Sequence, residues 1–439
     1  MSRVLHAWDG EDHVGSFIEN DDGSIRFEYD GSYPYTISQS LPRDGRQSEL
    51  AAANYLKNLL PENDMALSDL RIAKGLHGND LFSLLDGMDI SGGFVYTFAQ
   101  TPPCRERESL VPLPPEVIAA QIDAMRSRDI GDAAFPKRFS LAGAQSKFTM
   151  ARVGDRWFAP SAAVPSTHII KMPASGFRAC DVVEDATMRL ASVCGLDVAG
   201  HSMFGVLGRE AYITQCFDRT GIGSWDCRRL HVEDFAQALG IDPLEKYAPT
   251  LEEVTAMLKR LDPSGELAYG FLRSYMFSAY AGGADAHVKN FSLVYNGNAV
   301  HLSPLYDTVL TSCWEAVEDC LALSMNDSVF YAEYLTERTW KAFAEHMGLD
   351  AGRIVDDARG MAHDIYGAMP EELSSIDPSM RERALSVMER NTARILHPVP
   401  GIEDTWNPVY EEDRDWEQVQ VRVLPDSGTA AEEPEHKHE

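Results

Sequence analysis

Two strand-like runs, Phe291-Ser292-Leu293-Val294-Tyr295 and Ala299-Val300-His301-Leu302, flank Asn296-Gly297-Asn298. An Asn-Gly pair between such runs predicts a β-hairpin. A hairpin carries the chain back to where it began. Asp307, in Pro304-Leu305-Tyr306-Asp307, is therefore expected beside the segment Gly282-Gly283-Ala284-Asp285-Ala286-His287-Val288-Lys289-Asn290. Upstream, Leu267 to Ala281 reads as an apolar helix, and Gly282-Gly283 offers the positive-φ residue that ends it. Asp285 then lies on a loop just past a buried helix.

An Asp, an Asn five positions on and a second Asp after a hairpin are the order a phosphoryl-transfer site needs: a base, then two magnesium ligands. A base must reach the attacking hydroxyl, which suits Asp285. Magnesium takes oxygen ligands, with only one or two from protein carboxylates, which suits Asp307 and the amide oxygen of Asn290. Lys289 is expected to neutralise the transferring phosphate. His287 reads as a packing or loop-ordering residue rather than a base. A lone Asp is usually a turn or a helix cap; the ordered set of three argues against that here.

Thr167-His168-Ile169-Ile170-Lys171 is a strand ending on a lysine. Such a lysine ordinarily reaches solvent, but in a phosphotransferase it meets the nucleotide phosphates. Glu184, expected at the start of the helix Asp185 to Cys194, either orients Lys171 or complements the helix dipole. Ser140-Leu141-Ala142-Gly143-Ala144-Gln145-Ser146-Lys147 is a small-residue loop before a strand. Small side chains let backbone N–H groups approach phosphate.

The fold class expected is α+β, with two lobes: β-rich from Phe139 to about Arg219 and helical after Arg228. The 439 residues exceed one small core. The boundaries read as 1–108, 109–224, 225–400 and an acidic tail 401–439, with the proline-rich stretch 101–115 as a connection. The tail holds 12 acidic and 3 basic residues and is expected to be disordered from Pro425. No run of 18 apolar residues exists and no signal segment is read, so a cytoplasmic chain without membrane contact is expected. Seven scattered cysteines suggest neither disulfides nor zinc. A net charge of −29 argues against direct DNA binding and permits a basic protein partner.

Together these segments resemble the HipA family, serine/threonine-kinase toxins of bacterial toxin–antitoxin pairs. The likeness runs from about Val4 to His397 and rests on Phe139 to Lys147, Thr167 to Lys171, Phe217-Asp218-Arg219, Arg229 to Gly240, and Asp285 to Asn290. It implies an ATP- and magnesium-dependent protein kinase with a two-lobed, protein-kinase-like fold and an extra N-terminal subdomain. By that match Asp285 is the catalytic base, and Asn290 and Asp307 bind magnesium; Lys289, read above as neutralising the phosphate, is counted with Asp285 as catalytic. Lys171 meets the nucleotide phosphates, and Ala142, Gly143, Ala144, Gln145, Ser146 and Lys147 form the phosphate loop. Gln215, Cys216 and Phe217 hold adenine between the lobes, and His287, Asn290 and Tyr306 join the nucleotide site.

Ser140 matches the serine that relatives autophosphorylate. Phosphate there would repel ATP from the loop and switch the enzyme off. The resemblance further implies a helix-turn-helix antitoxin of HipB type, DNA contact only through it, and a protein substrate such as an aminoacyl-tRNA synthetase. Two other readings stand beside it: a small-molecule or lipid phosphotransferase of kinase-like fold, and a catalytically idle antitoxin-binding co-repressor.

Overall fold

The computed structural model describes residues 3–62, 64–78, 80–102, 110–127, 147–162, 164–173 and 177–398. Three main hydrophobic cores divide them. The first belongs to an N-terminal subdomain. There β1 (Arg3–Asp9), β2 (Asp12–Glu19), β3 (Ile25–Tyr29) and β4 (Val95–Thr97) form a sheet in the order β3-β2-β1-β4. Leu5 and Ala7 alternate in β1, and Phe17 with Val14, the extra residue at a register shift in β2, joins them to bury one face of that sheet under α1 (Ala51–Lys57), α2 (Asp64–Lys74) and α3 (Leu81–Leu85). Strand β1 has no counterpart among the expected runs; His6 interrupts its buried residues Leu5, Ala7 and Trp8.

The second core lies in the β-rich lobe. Its sheet runs β5-β7-β6-β8-β10-β9, from β5 (Val111–Pro112), β6 (Lys147–Val153), β7 (Arg156–Ala159), β8 (His168–Lys171), β9 (His201–Val206) and β10 (Arg209–Gln215). Helix α4 (Pro115–Ser127) covers part of it. Helix α5 (Cys180–Val193) crosses β9 and β10, with its own core face turned to the helical lobe. It starts five residues before the expected helix, so Glu184 is interior to it. The dipole-cap reading of Glu184 is thereby corrected: the residue sits past the first turn, fully buried.

The third core is helical. After short β11 (Arg219–Thr220), β12 (Arg228–Arg229) and β13 (Val232–Asp234) come α6 (Phe235–Leu239), α7 (Leu251–Leu261) and α8 (Glu266–Ala281). A capping box of Asp234 and Gln237 starts α6, and one of Thr250 and Glu253 starts α7. Then β14 (Ser292–Asn296) and β15 (Ala299–Leu302) form the expected hairpin, closed by Asn296 opposite Ala299 with Gly297 at φ 62°. The lobe ends with α9 (Glu337–Met347), α10 (Ala351–Glu372) and α11 (Pro378–Leu396), packed around α8. The one helix expected over Ala332 to His346 is split, because Thr336 caps α9 and leaves Ala332–Tyr334 as a single 3₁₀ turn.

A buried ion cluster joins the N-terminal subdomain to the rest. Asp89 pairs with Arg229 and accepts the Ser166 N–H at 3.1 Å. Arg219 pairs with Asp218 at 2.6 Å and donates to the Ser166 carbonyl at 2.7 Å, while Asp218 accepts the Gly92 N–H at 2.7 Å. Arg219 and Arg229 both reach the Ile90 carbonyl, at 3.3 and 3.1 Å. Asp89→Ala leaves two buried guanidinium groups short of charge compensation. We expect a loss of about 3–5 kcal/mol in urea denaturation.

His231 lies in the same interface, between Phe94 at 4.2 Å and Tyr295 at 4.6 Å, with Nε2 2.7 Å from the Ile37 carbonyl. Burial lowers its pKa to about 4. The unfolded chain therefore takes up this proton first as pH falls below about 6.5, and stability is lost through that window. Between pH 7 and 5 the parent should lose on the order of 2 kcal/mol more than His231→Phe, by urea denaturation at each pH.

Candidate active site

Lys171 ends β8 and faces two carboxylates from different elements. Its Nζ lies 2.5 Å from Glu184 Oε1 on α5 and 2.5 Å from Asp307 Oδ1 beyond β15. The lysine side chain is 4% exposed, Glu184 0% and Asp307 35%. Burial alone would lower the ammonium pKa, but Asp307 and Glu184 outweigh it and hold it well above the ordinary lysine value. For Asp307, Lys171 with help from Lys147 overcomes burial, and the carboxyl is held well below the usual range. Burial pushes Glu184 up against the pull of Lys171, and its buried Oε2 has no hydrogen-bond partner among the described residues. Lys147 stands opposite Lys171 across β6 and β8. Burial lowers its pKa, and the Asp307 charge acts the other way.

The loop 282–290 is anchored from both sides. Helix α8 ends at Gly282 with φ 81°, where a Cβ would meet Ser312 Oγ at 2.8 Å and Val387 Cγ1 at 2.9 Å. No larger residue fits that left-handed turn. The Ala284 N–H donates to Thr311 Oγ1 at 2.7 Å, and Ser312 N–H to the Gly282 carbonyl at 3.1 Å. Asn290 is buried, and its Nδ2 donates to the main-chain carbonyls of Asp285 at 2.7 Å and Asp307 at 3.3 Å. Those bonds orient the amide and leave its oxygen as the end able to bind a cation. Asp307 itself adopts φ 52°, a left-handed conformation uncommon for a residue with a side chain. Its approach is set by Leu305, which exchanges main-chain bonds with Asp197 at 2.8 Å and Ala199 at 2.9 Å, just before β9.

The Asp285 side chain is 56% exposed. The Tyr247 hydroxyl donates to its Oδ1, and His287 Nε2 lies 3.8 Å from the same oxygen. Partial desolvation of the carboxyl raises its pKa, the Tyr247 hydrogen bond opposes that, and Asp307 adds to the rise. Solvent screens these effects at such an exposed group. His287 is buried, its pKa lowered to about 3 first by burial and then by Lys246. Its ring is neutral at pH 7 and packs edge to face with Tyr247 at 5.0 Å.

Lys289 departs from expectation. Its Nζ donates to Asn58 Oδ1 at 2.8 Å, the Asn58 carbonyl at 3.1 Å and Asp234 Oδ2 at 2.9 Å. An ammonium has three protons, and these partners take all of them. The expected phosphate contact and catalytic role of Lys289 are therefore corrected: the residue ties the loop to the N-terminal subdomain and to the α6 cap.

Tyr306 donates to the Lys289 carbonyl at 2.9 Å and lies 2.7 Å from Ser292 Oγ. Its ring stacks on Phe217 at 4.9 Å, which brings the segment after β10 against the residue preceding Asp307. The Gln215 N–H donates to Gly200 at 2.7 Å and the Cys216 N–H to Thr167 at 2.9 Å. Ser140, Ala142, Gly143, Ala144, Gln145 and Ser146 lie outside the described residues. Sequence reasoning missed Tyr247, Lys246 and Glu62. None belongs to a spaced pattern, and only the tertiary fold brings them to the loop.

Residues 139–372 match the family described as HipA-like C-terminal domain, and residues 5–92 match the HipA N-terminal domain. Y4mE of Sinorhizobium fredii (strain NBRC 101917 / NGR234), provisionally designated a kinase, is 30% identical over 79% of this chain and 86% of its own. The serine/threonine-protein kinase toxin HipA of Shewanella oneidensis MR-1 is 25% identical over 82% of this chain and 86% of its own. The structure of a Shewanella oneidensis MR-1 toxin–antitoxin complex of HipA, HipB and operator DNA matches with a TM-score of 0.75 at 24% identity. That match covers 89% of this chain and 99% of the other, and it carries the two-lobed kinase-like α+β fold. With both family domains present in order and the whole fold shared, this chain belongs to the HipA family.

Proposed function

We propose that this protein is a serine/threonine-protein kinase toxin that transfers the γ-phosphate of ATP to a cellular protein. The observation that carries the reading is the Lys171–Glu184 pair with Asp307 beside it and Asn290 bonded to the backbone of both aspartates. A strand lysine held by a helix glutamate is the device that protein kinases use on nucleotide phosphates. Lys171 and Lys147 would face those phosphates. Asp307 and the amide oxygen of Asn290 fit magnesium, since one is an ionised carboxylate and the other an amide oriented by its own donors. Bound magnesium supplies charge neutralisation for the transferring phosphoryl group. Asp285 accepts the proton of the attacking hydroxyl as its oxygen bonds to phosphorus and the leaving ADP oxygen separates. With the Gln215 and Cys216 N–H groups committed to Gly200 and Thr167, adenine recognition by this segment falls to Phe217 and to carbonyl groups.

The likeness to a HipA seen with HipB and operator DNA supports a HipB-type helix-turn-helix antitoxin as partner, with DNA reached through it. The charge of −29 suits a basic partner. An aminoacyl-tRNA synthetase is the kind of substrate the family resemblance suggests, and autophosphorylation at Ser140 is the off-switch it suggests. Incubation with γ-labelled ATP tests the set. Wild type should label protein in a lysate, and Asp285→Asn should label it at least about a hundredfold more slowly. Equal labelling by the two, or transfer only to a small metabolite, would remove the protein-kinase reading. In the same incubation, phosphopeptide mapping should find phosphate on Ser140; an active enzyme with Ser140 unmodified would remove the off-switch.

A further inference from the structure

The loop after the 3₁₀ turn Pro243–Glu245 contributes nothing to the family motifs quoted above, yet its Tyr247 donates a hydrogen bond to the proposed base. The ring is held on one side by His287, edge to face at 5.0 Å. The preceding Lys246 pairs at 2.7 Å with Glu62 of the N-terminal subdomain, and its ammonium lies 5.4 Å from the centre of the Tyr247 ring. Glu62 also approaches Lys289 at 3.9 Å, so one carboxylate sits near both lysines that flank the loop. Asp285, by contrast, is more than half exposed. An exposed aspartate samples several rotamers unless a donor selects one.

We infer that Tyr247 is a positioning residue for Asp285: its phenol takes Oδ1 and turns Oδ2 toward the attacking hydroxyl, while Glu62 holds the tyrosine's loop through Lys246. The inference rests on the reading of Asp285 as the base. It gives the N-terminal subdomain a part in phosphoryl transfer through Glu62, besides any part in partner binding. A phenol on the same carboxylate also admits the opposite effect, in which it bars the substrate hydroxyl and slows the reaction. The two differ in the sign of the change when the hydroxyl is removed.

Tyr247→Phe deletes that hydroxyl and keeps the ring against His287, so the fold should survive; thermal unfolding checks this. Steady-state phosphorylation of a protein substrate should show kcat lowered about tenfold, the size of one hydrogen bond to a charged group, with KM for ATP unchanged. Glu62→Gln should lower kcat in the same manner and by less. An unchanged or raised kcat in Tyr247→Phe would overturn the inference while wild type still transfers phosphate. A wild type that transfers none, under conditions where it binds ATP, would instead overturn the base assignment and this inference with it.

Discussion

One buried ammonium sets the geometry of this molecule. Lys171 lies where a strand of the β-rich lobe, a helix and the segment returning from the hairpin meet, and it touches a carboxylate from each of the latter two. A cation that is 4% exposed costs several kcal/mol to desolvate unless its partners are close and well placed. That cost makes the arrangement exacting. Strand β8 must end beside α5, α5 must present Glu184 past its first turn, and the chain after β15 must arrive with Asp307 turned inward. The left-handed backbone at Asp307 and the main-chain bonds of Leu305 to the start of β9 deliver that last condition. The same contact brings the two lobes together, because Lys171 and Asp307 belong to different ones.

The N-terminal subdomain belongs to this frame. Its Asp89 lies in the ion cluster with Arg219 and Arg229, and its Asn58 takes two of the three Lys289 protons. Phe217-Asp218-Arg219 and Arg229 belong to segments that carry the family resemblance. Their buried partners give Asp218, Arg219 and Arg229 a structural reason to be there: they bind the subdomain to the segment that follows β10. Only Phe217, stacked on Tyr306, turns toward the site. Charged residues inside a motif thus serve two ends, and burial separates them.

The hairpin was legible because it is local. Asn296-Gly297 dictates a turn that its neighbours can satisfy without the rest of the chain, and Asp307 followed from it. The end of α8 at Gly282 was legible for the same reason. What escaped depends on residues far apart in sequence. Glu184 reads nearly as well as a dipole partner from sequence, and α5, with Ala179 at its N-cap, has no side-chain cap to announce its start. Lys289 sits in a motif next to a proposed metal ligand, yet its direction is decided by Asn58, more than two hundred positions away. Tyr247 follows an Asp242-Pro243 turn whose pattern announces the turn but not the partner of the tyrosine.

The distribution of charge bears on the proposed binding of an anionic nucleotide by an acidic chain. At −29, its long-range field repels phosphate, so electrostatic steering works against association. Beyond roughly 10 Å at 0.1 M salt that field is screened, and the local groups decide. Among the described residues four lysines lie near the site, but they are not equivalent. Lys246 and Lys289 are matched by Glu62 and Asp234. Lys147 and Lys171 are cross-strand neighbours on the opposite wall, both sensing Asp307. Lys171 is matched in turn by Glu184 and Asp307, so the two lysines and two carboxylates at the ends of β6 and β8 form one ion cluster. On the proposed reading, phosphate charge is met at this cluster and the proton is taken up at Asp285.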